Sequence, residues 1–228
     1  MISRTIFVSV FFILLRNVYA IDITEKEFEV YFRGEYNRSF GGCGDLSVIG
    51  SMKPQDLLTL RGGLSAGKLS EAVSVKAFSA AGVAPFSNIP LRFSLSYIYN
   101  GLSLYDVHTH AVLTIVSYNA ARAGIFYGPN FRFTSFFGET AQFELINSFS
   151  IYFNVIKNEK RSLEAIVGNF CDFYAENMGA YSLKFKYAAF VTGNWTVIGE
   201  IELLQSGSDV LSANFYGMAL RGGAKYSW

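Results

Sequence analysis

Asp106, His108 and His110 stand at alternate positions, and on a strand such residues share one face, where two imidazoles and a carboxylate could ligate an ion or relay a proton. They include both histidines of the chain, and no further ligand from another segment can be paired with them. The rival reading is polar residues at the beginning of a strand, at a membrane rim. Barrel proteases and lipases place His with Asp or Ser in defined motifs, and none is matched here. A barrel enzyme using His108 or His110 is therefore the third of three functional readings, and no catalytic residue, metal or cofactor is assigned. Cys43, in the Gly-rich stretch Gly41-Gly42-Cys43-Gly44, and Cys171 could form a disulfide in an oxidising compartment, but their spacing leaves paired and free thiols equally open. Gly62 to Lys68 has phosphate-loop spacing, yet Leu69 replaces the Ser or Thr that would hold magnesium. Asn37-Arg38-Ser39 and Asn194-Trp195-Thr196 match glycosylation acceptors, a frequent chance match.

A second set of residues carries charge into mostly apolar segments: Arg33, Arg61, Arg92, Arg122, Arg132, Glu144, Lys184 and Glu200. Gathered on one inner surface, they would line a polar conduit or solute pocket. Alternatively they would neutralise one another as an ion-paired plug, because unpaired charges are costly to desolvate. Both readings require elements that send charge to one side only.

Period two supplies them. In Phe28 to Tyr36, Leu91 to Tyr99, Phe143 to Val155, Tyr181 to Val191 and Tyr216 to Trp228, one alternate face has no charged residue. The opposite face carries Glu27, Glu29, Arg33, Glu35, Arg92, Glu144, Lys184, Lys186, Arg221 and Lys225. Weaker segments obey the same rule, with Arg61, Arg122, Arg132, Glu164, Asp172, Glu200 and Glu202 opposing Leu, Ile, Val and Phe. Aromatic residues make up 17% of the 228 residues and charged ones 16%, too greasy for an ordinary soluble domain. The balance of 19 basic and 18 acidic residues gives no field that would gather nucleic acid.

Met1 to Arg4, the uncharged run Ile6 to Leu15 and Val18-Tyr19-Ala20 read as a secretory signal peptide, residues 1–20, cleaved after Ala20. The apolar run is too short to cross a bilayer as a helix. Residues 21–228 then form one domain. No later run is long and apolar enough for a spanning helix, so membrane entry would be by strands. The expected fold is all-β: a single-chain antiparallel transmembrane β-barrel. Turn residues divide it into strands near 26–36, 56–67, 70–80, 90–100, 105–118, 121–137, 141–156, 161–174, 179–192, 194–204 and 211–228. Bacterial barrels normally have an even number of strands. Adding Leu46 to Gly50 gives twelve, dropping 70–80 gives ten, and eight longer strands are the third option.

The chain stops at Arg221-Gly222-Gly223-Ala224-Lys225-Tyr226-Ser227-Trp228. Its polar residue, Gly223 and alternating aromatics Tyr226 and Trp228 resemble the terminal strand of outer-membrane barrel proteins, which the barrel-assembly machinery reads. In size and texture the chain resembles the small barrels of spirochaete outer membranes and, more loosely, the OmpW-like group. That resemblance implies contact with outer-membrane lipid, a cell outer membrane location and a porin-like transport role. Passage or binding of a small solute, without enzymatic activity, is the leading reading. A surface adhesin on a plugged barrel, binding through loops 37–55 or 80–90, is the second.

Overall fold

Strict alternation leaves one greasy and one polar face on the same sheet, and curling that sheet until it closes gives each face its own solvent. The computed structural model shows such a closure. It describes residues 25–37, 41–55, 57–69, 72–103, 106–137, 141–171, 174–175, 180–206 and 215–228. The signal-peptide segment 1–20, with its cleavage point, and Asp172 lie outside the described residues.

The strands are β1 (Glu25–Asn37), β2 (Gly41–Gln55), β3 (Leu58–Leu69), β4 (Ala72–Val83), β5 (Leu91–Leu102), β6 (Val107–Asn119), β7 (Ala123–Ser135), β8 (Gln142–Lys157), β9 (Arg161–Gly168), β10 (Phe170–Cys171), β11 (Tyr174–Ala175), β12 (Ala180–Thr192), β13 (Trp195–Ser206) and β14 (Phe215–Ser227). All but β10 and β11 form a closed antiparallel barrel of twelve strands, each beside its sequence neighbours, with β14 returning to β1. Among the described residues the two short strands pair with each other and not with the barrel. The last residue takes part in closure: Lys26 N donates to Trp228 O at 3.1 Å and Trp228 N to Lys26 O at 3.0 Å. A sheet without an open edge is what a bilayer demands of strands, since lipid offers no partners for backbone N–H and C=O.

The expected strand 70–80, the one whose removal would give ten, corresponds to the full 12-residue β4, Ala72–Val83. The segment around Leu46 to Gly50, expected as a loop or one short strand, is the 15-residue β2. Glycine there is not turn-forming: Gly44 sits outward beneath the Phe32 ring, which an added Cβ would meet at 3.1 Å. The expected strand 161–174 instead leaves the wall after Gly168, making β9 only 8 residues long. The start of β1 and the end of β14 lie at one end of the barrel, here the terminal rim, with the tight turns 120–122, 158–160 and 193–194. Gly193 takes the left-handed φ of 50° that such a two-residue hairpin needs. The other end is the distal rim.

Large apolar residues exposed on the outside occur on neighbouring strands around the wall, among them Phe32, Leu46, Leu64, Val73, Leu95, Val116, Tyr127, Leu145, Ile201 and Leu220. Soluble monomers seldom expose apolar patches beyond a few hundred Å². A lipid-facing band accounts for the pattern, and strands of mostly 12 to 16 residues exceed the roughly 9–11 needed to cross.

Candidate functional site

The inner faces of the strands divide the interior into two walls. One is apolar: Ile49 of β2, Phe78 of β4, Ile98 of β5, Ala111, Leu113 and Ile115 of β6 form a buried cluster with Tyr31, and Phe126 of β7 packs on it. The other is an ion-pair wall on β12, β13, β14, β1 and β2. Glu202, 1% exposed, accepts from Arg33 at 2.8 Å and pairs with Lys184 at 3.1 Å. Arg33 also reaches Glu35 at 2.9 Å. Arg221 pairs with Glu29 and lies 3.5 Å from Glu200. Asp45 accepts from Ser47 at 3.2 Å and Ser65 at 3.1 Å and faces Lys76 at 3.5 Å. Each of these carboxylates thus faces at least one cation, and Glu202 faces two, an arrangement that offsets the cost of removing these charges from bulk water.

Between the walls is a cavity of about 450 Å³. Seven basic residues border it (Arg33, Arg61, Lys76, Lys157, Lys184, Lys186, Arg221) against four acidic ones (Asp45, Glu164, Glu200, Glu202). Glu29 and Glu35 reduce the local excess of positive charge without bordering the space. Tyr31, Phe126, Tyr152 and Phe170 add aromatic surface.

Cross-strand glycines keep several inner rings flat on the wall. A Cβ on Gly63 would meet the Phe78 ring at 2.7 Å and one on Gly124 would collide with the Tyr152 ring, while one on Gly223 would collide with the Cβ of Tyr31 and the Val30 carbonyl. Register places each glycine opposite its ring. Arg221 then stacks over Tyr31, its guanidinium carbon 3.4 Å from the ring centroid, and Arg61 lies over Phe78 at 5.6 Å. Only a residue without Cβ gives the ring that room; a larger residue would push it into the lumen.

Of the residues expected to line the interior, Arg33, Arg61, Lys184 and Glu200 border the cavity. Arg132 and Glu144 bond to each other at 2.7 Å near the distal rim. Arg92, paired in register with inward Ser117, lies at the terminal end of β5. Arg122 is exposed in the turn 120–122. The eight do not form one ring. Asp45 carries no parity signal because the glycines of β2 mimic a loop, whereas Lys186, Glu202 and Arg221 carry theirs in their alternation with apolar residues. Phe126 and Tyr152 share parity with Arg132 and Glu144, a signal that places them inward, whereas Phe170 lies past the end of β9, where strand parity no longer applies.

At the chain end, Gly223 lies beneath Tyr31. Tyr226 stacks between Trp195 and Trp228 with centroids 5.0 and 5.4 Å apart, at the terminal rim. His108 and His110 face outward with Tyr99 and Tyr97, by register. Tyr99 Oη lies 2.9 Å from His108 Nδ1, Tyr97 Oη 2.6 Å from His110 Nδ1, and His108 Nε2 3.1 Å from Asp106. They are on the opposite side of the wall from the cavity, and no group of three or more His, Cys, Asp or Glu among the described residues is arranged to hold a metal. Cys43 is an inward, half-buried free thiol in β2, and the side chain of Cys171 lies outside the described residues.

No family model matches the chain, and no curated protein matches it in sequence. Its fold is similar to that of bacterial outer-membrane barrels. The translocator domain of the autotransporter NalP from Neisseria meningitidis aligns with a TM-score of 0.57 at 13% identity, covering 94% of each chain. The KdgM porin in complex with disordered oligogalacturonate aligns at 0.58 and 10% identity over 88% of this chain and 99% of that one. An outer-membrane channel from Pseudomonas putida F1 aligns at 0.59 and 10% identity over 91% and 97%. What is shared at such identities is the fold.

Proposed function

We propose that this chain is a non-enzymatic outer-membrane barrel that passes small solutes and favours anionic ones. The observation that carries the reading is the cavity of about 450 Å³ bordered by seven basic and four acidic residues. Carboxylates on a solute would find charge-assisted hydrogen bonds to Arg33, Lys184 or Arg221, while its less polar faces would pack on Tyr31, Phe126 or Tyr152. The oligogalacturonate held by a porin of the same fold is a polyanion of that character, so a uronate or short uronate chain is the proposed solute class.

In the same reading, residues 1–20 direct export and are removed after Ala20, and residues 21–228 form the barrel. The assembly machinery reads Gly223, Tyr226 and Trp228. The outer face meets outer-membrane lipid, and the likeness to spirochaete and OmpW-like barrels extends to the class of membrane.

Planar bilayers containing the full barrel test the proposal. A potassium chloride gradient should give a reversal potential of the sign for chloride preference, and liposomes should swell faster in a uronate than in a neutral sugar of similar size. A barrel that neither conducts nor swells vesicles would defeat the transport reading and leave a plugged support for surface contacts.

A further inference from the structure

Phe170 is brought to the cavity by a route different from that of the other bordering aromatics. Tyr31, Phe126 and Tyr152 are carried on barrel strands, whereas Phe170 follows the point where the chain leaves the wall. β9 stops at Gly168, whose missing Cβ would meet the Phe149 carbonyl at 2.7 Å and Ser150 at 2.9 Å. Beyond it, Asn169 continues the ladder with its side chain. Its Oδ1 accepts from Phe149 N at 2.7 Å, its Nδ2 donates to Asn147 O at 2.8 Å, and its own N donates to Phe149 O at 3.0 Å. With Asn169 only 1% exposed, these bonds satisfy backbone groups that β9 has abandoned and anchor the departing chain.

Phe170 then packs edge-on against Phe126, with centroids 6.5 Å apart, and against the apolar cluster, while bordering the same cavity as Arg33 and Lys184. A solute moving through must therefore share that space with an apolar ring borne on an inserted segment and with the cations of the ion-pair wall. We infer that Phe170 sets the size limit of the conduit and that Asn169 is the residue positioning it. The inference rests on the solute-passage reading above. It adds a shape requirement to the solute: an anionic edge and a flat, less polar face.

The full barrel in planar bilayers, with neutral polymers of graded size, supplies the test. Refolding of each variant is confirmed by heat-modifiable gel migration. Phe170→Ala should raise single-channel conductance about twofold and admit polymers that the parent excludes, because pore-lining side chains set the limiting radius. Phe170→Trp should lower conductance, and it decides the matter if the Ala variant does not refold. Asn169→Ala should shift the polymer cut-off in the same direction as Phe170→Ala. Asn169→Asp, which keeps the acceptor for Phe149 N–H but loses the donor to Asn147 O, should shift the cut-off less than Asn169→Ala; a purely stabilising residue would leave the cut-off unchanged. Phe86→Ala, an exposed ring in the turn 84–90, should alter neither quantity.

If the parent conducts and the Phe170 variants match it in conductance and cut-off, the inference fails while the solute-passage reading stands. A silent parent with a conducting Phe170→Ala variant would support Phe170 as the limiting element and reject passage in the parent. Silence in both would end both claims.

Discussion

The two walls of the interior are made from the same kind of strand, with inward residues at alternate positions, yet are stabilised by different physics. The apolar wall of β4, β5 and β6 buries Phe78, Ile98, Leu113 and Ile115 and is held by packing. The ion-pair wall of β12 to β14 and β1 is held by Arg33, Lys184 and Arg221 clasping Glu202, Glu200 and Glu29. Packing is short-ranged and indifferent to which solute passes. Charges act over several ångströms of water and discriminate by sign. In the proposed reading the difference is a division of labour: the packed wall carries no ionic preference, and the ion-pair wall carries the preference for anions.

The comparison breaks most readily at Leu113, which is 1% exposed. Leu113→Ala should cost about 2–4 kcal/mol through lost burial and a residual cavity, read as a lower urea midpoint of the refolded barrel, with the reversal potential unchanged. A changed selectivity would show that the walls are not separable. Next in size is Glu202→Ala, which removes the buried carboxylate that Arg33 and Lys184 share and leaves Arg33 with Glu35. Water in the cavity can resolvate those cations, so the expected loss is about 2–3 kcal/mol, below the roughly 3–5 kcal/mol of a pair broken in a dry interior. Anion preference should rise, since negative charge leaves the lining. The smallest effect is at the junction of the walls. Arg61→Met removes the cation over Phe78 and should cost about 0.5–1 kcal/mol while moving the reversal potential away from anions. A stability change without that movement would put Arg61 among the packing residues alone.

Much of this was legible from parity. The charge-free faces of β1, β5, β8, β12 and β14 turn outward, and Glu29, Arg33, Lys184 and Arg221 turn inward as alternation requires. β2 escaped because its inward residues, Asp45, Ser47 and Ser51, are small or polar, and its glycines mimic a turn. Gly44 instead makes room for the Phe32 ring outside and Asp45 partners Lys76 inside, both properties of other strands. Arg122 illustrates the converse error, a charge with suitable parity in a segment that proves to be a turn. The exit at Gly168 was also hidden, because 161–174 alternates almost as a strand would.

Residue order by itself determined that there would be strands, which face of most of them would be free of charge, and that the last would end in aromatics, because side-chain parity is a local property of an extended backbone. Only the tertiary structure decided that the sheet closes at twelve strands, that one side of the lumen is packed and the other ion-paired, and that Phe170 stands between. Those outcomes depend on cross-strand register, which brings together residues as distant as Glu29 and Arg221, Gly223 and Tyr31, or Arg33 and Glu202. No local periodicity encodes that register.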